Sequence, residues 1–201
     1  MKRILPIFSY IFHPLFISLY AAVFYFWGFQ DFYNISEIYV ALIQVTILTL
    51  LIPISVFYLL VTLGKIDSVM IPNLHQRRIP LLVNCILLYL LTEKSITIDR
   101  APELFYFYFG ALVSTLLAFI GLLFKKKISL HMIGIGALTV FLFFLSLLCQ
   151  NLGIEIVAFF LASIGFVASS RLSMRAHSLS EIIWGFMAGI IPQIILFYFQ
   201  L

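Results

Sequence analysis

Charge is scarce in this chain. Only 10% of its 201 residues are Asp, Glu, Lys or Arg, where a soluble domain carries about 25%. With 64% hydrophobic residues and a mean hydropathy of +1.17, that shortage excludes a soluble globular fold. Alternation of apolar and polar residues is missing too. The apolar runs are continuous, so helices rather than a closed barrel are expected to satisfy the backbone in lipid. Cysteine is nearly absent: Cys85 and Cys149 lie inside apolar segments and form no CxxC pair, which leaves no disulfide or zinc framework. A net charge of +4 is too small to imply nucleic acid, and it reads as topology and as affinity for anionic lipid head groups. There is no internal repeat and no low-complexity linker, so a single integral membrane domain over residues 1–201 is expected.

What remains is seven hydrophobic segments, at 4–29, 39–64, 79–92, 103–124, 132–150, 154–170 and 181–200. A full span needs about 20 residues. The third is short: its helix either begins earlier, in the polar stretch before Pro80, or is buried by its neighbours. The first contains His13-Pro14, and an interfacial turn there would start the span after it. Met1-Lys2-Arg3 could open a signal peptide, but the apolar run continues to about Phe29 with no small-residue cleavage site, so a retained first helix is expected. The fold class is all-α, a polytopic transmembrane helix bundle of six to seven spans.

Loop parity assigns ten of the twelve Lys and Arg to one face, with only Lys94 and Arg100 opposite. Setting aside Lys65, Arg77, Arg78, Arg171 and Arg175, which a phosphate site would itself collect, still leaves five against two. The positive-inside rule makes that face, and the N-terminus, cytoplasmic. High Ile, Leu and Phe usage with short loops suggests a bacterial inner-membrane protein.

Polar chemistry gathers in three loops of the basic face. Ser170-Arg171 is followed after five residues by His177 and after three more by Glu181. If residues from about 177 onward are helical, His177 and Glu181 touch at a spacing of four. A carboxylate on one ring nitrogen fixes the tautomer and leaves the other nitrogen to attack. Arg171 offers a planar fork suited to phosphate oxygens. The bland alternative is a cationic loop with Ser180 as a helix cap. In Lys125-Lys126-Lys127-Ile128-Ser129-Leu130-His131 the lysines read as a topology anchor. Ser129 and His131 sit where a helix start would present N–H groups to an anion, and His131 is placed to act as general acid. In the remaining loop, Arg77 and Arg78 either clamp phosphate oxygens or rest beside anionic lipid. His13 and His75 read as interfacial. Gly185 and Gly189 read as close packing inside the bundle rather than a dimer seam. Nothing in the sequence calls for a metal.

The spacing resembles the phosphatidic acid phosphatase type 2 superfamily over about residues 65–189. Its third motif, Ser-Arg, five residues, His, three residues, Asp, is matched by Ser170, Arg171 and His177, with Glu181 at the Asp position. Its second, Pro-Ser-Gly-His, is matched by Ser129 and His131, with Leu130 in place of the glycine. Its first, a lysine, six residues, then Arg-Pro, is represented loosely by Arg77 or Arg78 before Pro80, and Lys65 is too far away to fit the gap. The resemblance implies a phosphatase core in which His177 forms a phosphohistidine, Glu181 orients it and His131 protonates the leaving group. Arg171, Ser129 and a motif-one arginine would stabilise charge on the phosphoryl group. The expected activity is hydrolysis of a lipid phosphate or polyprenyl diphosphate, without cofactor. A non-catalytic lipid-phosphate-binding or transport protein on the same scaffold is the alternative. Membrane prenyltransferases use aspartate clusters, and the basic face has only Asp67. No serine–histidine pairing within the spans suits an intramembrane protease.

Overall fold

The computed structural model describes residues 5–67, 74–149 and 151–200; Lys2 and Arg3, counted in the charge bias, lie outside them. The described residues form eight α-helices and no strand. These are α1 (Leu5–Ile11), α2 (Pro14–Gly28), α3 (Ile35–Thr62), α4 (Arg78–Lys94), α5 (Pro102–Leu123), α6 (Leu130–Leu148), α7 (Ile154–Ser173) and α8 (Leu179–Gln200). Five of them, α3 and α5 to α8, are long and apolar enough to cross a bilayer. A sixth crossing results if α1 and α2, bent by 62°, count as one. The expected six to seven spans therefore become five or six, and α4 makes the difference. Its 17 residues rise only about 26 Å, less than the ~30 Å of a hydrocarbon core.

Local chemistry explains the breaks. Pro14 and Pro102 open α2 and α5 at positions where a helix needs no N–H donor. His13 caps α2 by accepting the Leu15 N–H on Nδ1 at 3.4 Å. The apolar run expected as one segment is thus two helices meeting at an elbow. In α3, Pro53 lacks a donor and its ring crowds the carbonyl four residues back, and the helix widens into a π-turn over Ile47–Leu51. Asn34 and Glu37 close the start of α3 with a capping box.

The central helix is α6, which packs on α2, α5, α7 and α8. Its fully buried stripe is Ile135, Leu138, Phe141, Leu142 and Leu145. Gly185 and Gly189 lie on the α6 backbone: a Cβ at Gly185 would meet the Ser129 carbonyl at 2.6 Å, and one at Gly189 would meet that of Ile133. The GxxxG is therefore the α6–α8 contact. Gln193, fully buried, donates to the Phe107 carbonyl at 3.0 Å and ties α8 to α5.

The bundle has two chemically distinct ends. At one, Tyr33 donates to the Arg100 carbonyl at 2.7 Å, the Tyr25 and Tyr33 hydroxyls are 2.8 Å apart, and Asn151 reaches Gly28. At the other end Arg77, Lys127 and Arg171 come together, with Lys127 bonded to the Ala176 carbonyl.

Candidate functional site

The third polar loop is held by its own capping chemistry. α8 begins at Leu179, with Ser178 just outside it. The Glu181 N–H bonds the Ser178 Oγ and the Ser178 N–H bonds Glu181 Oε2, each at 3.3 Å. The cap is therefore Ser178, not Ser180. The same Glu181 Oε2 lies 2.7 Å from Nδ1 of His177. His177 precedes the helix, so the pair meets through the fold-back of a capping carboxylate and not along a continuous helical face. Nδ1–H donates to the carboxylate, which leaves Nε2 as the ring nitrogen able to react.

Burial holds the His177 pKa below its ordinary value; the Glu181 contact opposes this, and the charges of Lys127 and Arg171 add to it. The ring is thus neutral near pH 7, as a nucleophile must be. Lys127 donates to the Ala176 carbonyl at 2.6 Å and so pins the second polar loop to the third. Burial also lowers the Lys127 pKa, with neighbouring Arg77 and Arg171 adding to the effect and Glu181 opposing it. By sequence Lys127 reads as an anchor; the carbonyl it bonds lies nearly fifty residues away and leaves no local signal.

Beside this loop lies a cavity of about 500 Å³. Its polar lining includes Ser9, His13, Arg77, His131, Arg171 and His177, together with the helix-borne Thr49, Asn84 and Thr115. Its body is mostly apolar, with Ile54, Phe57, Leu88 and Phe107 among the walls. A chamber with a cationic end and an oily body suits an anionic head group on a hydrocarbon chain. Three cations, Arg77, Lys127 and Arg171, interact electrostatically here, with the Glu181 carboxylate the acid among them. The Arg171 Nε–H is buried and has no hydrogen-bond partner, and its Nη1 reaches only the Met174 sulfur at 3.9 Å. An unsatisfied buried guanidinium group calls for an anion.

Of the residues singled out from sequence, His177, His131, Arg171 and Arg77 line this one cavity, with Glu181 behind His177. Two stand apart. Arg78 is exposed and does not line it. Ser129 is fully buried against Gly185, its Oγ has no partner, and it too is absent from the lining. Leu130, between Ser129 and His131, does line the cavity. His131 donates from Nε2 to the Ser9 carbonyl at 3.1 Å, so Nδ1 is its proton-exchanging nitrogen. The residues that sequence reasoning missed come from the α1–α2 elbow. Ser9 bonds Ser170 hydroxyl to hydroxyl at 2.6 Å, and the His13 ring stands 5.2 Å from that of His131. The available signal was a His-Pro pair interrupting an apolar run. His75 is exposed, as an interfacial residue would be. Among the described residues, no group of three or more His, Cys, Asp or Glu could hold a metal ion.

The chain matches no protein-family model, no curated protein and no solved structure.

Proposed function

We propose that this protein is a membrane-embedded phosphatase of a lipid phosphate or polyprenyl diphosphate, working through a phosphohistidine and resembling the type 2 phosphatidic acid phosphatases. The observation that carries the reading is the His177–Glu181 pair at 2.7 Å, on a cavity that joins Arg77 and the partly unsatisfied guanidinium of Arg171 to a largely apolar body. His177 Nε2 attacks phosphorus as the phosphorus–oxygen bond to the lipid breaks. Glu181 takes up the positive charge developing on the ring through Nδ1–H. Arg77 and Arg171 hold the non-bridging oxygens, since phosphoryl transfer is mainly positioning and charge stabilisation. His131, once protonated at Nδ1, supplies the leaving oxygen with its proton and regains one from the attacking water. Water then breaks the nitrogen–phosphorus bond, and inorganic phosphate leaves with His177 restored.

In this reading α4 completes a seven-segment bundle, all three site loops face the cytoplasm, and the membrane is a bacterial inner membrane. Substrate enters from the surrounding lipid. The non-catalytic alternative, a lipid-phosphate binder or transporter, is favoured by one feature: Ser129 is off the cavity and Leu130 is on it.

The test is phosphate release by purified protein in detergent from a panel of lipid phosphates and diphosphates, beside His177→Ala. Release that vanishes in the variant supports the phosphatase and names its substrate class. Folded protein that binds these lipids but releases nothing supports the alternative. Release unchanged in the variant contradicts the assigned nucleophile.

A further inference from the structure

The α1–α2 elbow brings a stretch outside all three motifs onto the phosphoryl site, and its chemistry is specific. The Ser9 carbonyl fixes the His131 tautomer and the Ser9 hydroxyl meets Ser170, the residue before Arg171. His13 lines the cavity with His131, Arg171 and His177, its ring set edge-on to His131 with centroids 5.2 Å apart and an interplanar angle of 88°. Its Nδ1 accepts the Leu15 N–H. A ring nitrogen that accepts carries no proton, so the proton of the neutral imidazole sits on Nε2. The hydrogen bond that caps α2 thereby makes His13 a neutral N–H donor on the cavity wall. A neutral donor suits a site that already holds Arg77, Lys127 and Arg171, because it binds a phosphoryl oxygen without adding like charge.

We infer that His13 is a further phosphate-contacting residue, donating Nε2–H to a non-bridging oxygen of the head group bound between Arg171 and His131. The inference rests on the phosphoryl-site reading above but not on turnover. It makes the elbow a fourth contributor to the site, and the 62° bend between α1 and α2 is what brings His13 to the cavity.

Two substitutions separate the ligand contact from the cap. His13→Asn keeps a strong N-cap acceptor at the start of α2 but loses the donor at the reach of Nε2. His13→Gln places an amide N–H near that reach. Binding to purified full-length protein in detergent is measured with two probes, inorganic phosphate and dioctanoyl phosphatidate, and the thermal midpoint is recorded for each variant. The expected result is a His13→Asn protein of wild-type thermal midpoint that binds both probes roughly ten- to hundred-fold more weakly, as losing one hydrogen bond to a charged group would. His13→Gln is expected to recover much of that loss. Loss confined to phosphatidate would place the contact on the lipid part and overturn the phosphate assignment. His13→Asn that binds both probes as wild type does overturns it as well, as does a wild-type protein that binds neither. Weakened binding in His13→Asn, with no phosphate released from any lipid by wild type, upholds the His13 contact while the phosphatase reading fails.

Discussion

At the residue scale, the site turns on one imidazole whose environment pulls in two directions. Burial, Lys127 and Arg171 disfavour the charged ring of His177, Glu181 favours it, and the balance lies below the ordinary value. In the proposed reaction the attacking ring must be neutral, so rate is lost as pH falls through the His177 pKa, and the acid limb of kcat/KM is expected below about 6.5. Lys127→Met removes a cation that lowers this pKa, so the limb should move to higher pH on the same substrate. A pH–rate profile showing the opposite shift would mean that Lys127 does not act on His177 through charge. Glu181→Gln removes the partner of Nδ1 and is expected to cost roughly 10²–10⁴-fold in kcat by analogy with orienting carboxylates elsewhere. A steady-state loss of less than tenfold would deny Glu181 that role. The Glu181 contact was foreseeable from a spacing of four residues, but its route was not. Sequence periodicity does not reveal that the loop ends at Ser178 and that a capping carboxylate turns back. Ser129 went the other way. Its place beside His131 suggested a phosphate ligand, but the close approach of Gly185 draws it into the α6–α8 contact.

At the element scale, close helix approach positions the site. With Gly189 against the backbone of Ile133, α8 runs near enough to α6 for the Ser129 N–H to bond the Glu181 carbonyl at 3.2 Å. Gly189→Ala puts a methyl group where rigid backbone already sits. It should destabilise the protein by about 1–3 kcal/mol, as overpacking does, and disturb the His177–Glu181 pair with it. Gly165→Ala is the control, since a Cβ there meets nothing within 4 Å. It should be neutral or stabilising by up to ~1 kcal/mol. Equal thermal shifts for the two variants would contradict the packing account. Helix type and most helix positions were legible because long uncharged runs have one solution in lipid. The α1–α2 elbow was half legible. Pro14 announced a break, but what the residues before it would pack on depends on α7, far away in sequence, where Phe8 stacks on Phe166 at 4.7 Å. The π-turn in α3 was not anticipated, although Pro53 supplies its cause.

At the scale of the whole molecule, an asymmetric bundle gathers Arg77, Lys127 and Arg171 at one end and the hydrogen-bonded Tyr25, Tyr33 and Glu103 at the other. Single cysteines at Lys126 and Ser95, in a background without Cys85 and Cys149, should therefore label from opposite sides of a sealed vesicle. Labelling from one side would contradict the arrangement of α4 and α5. The amphipathic cavity was legible only in its polar part. Its apolar body draws on five helices, and no local pattern reveals a space that exists only when they pack. The proposed reaction stands on a covalent phosphoryl group on His177. The most direct measurement mixes protein with a lipid phosphate that it hydrolyses, quenches in base, where phosphohistidine survives, and locates the added phosphoryl group by peptide mass spectrometry. Phosphate is expected on the peptide that holds His177, and none in His177→Ala. Turnover with phosphate on another residue, or with no phosphorylated protein at any quench time, would contradict it.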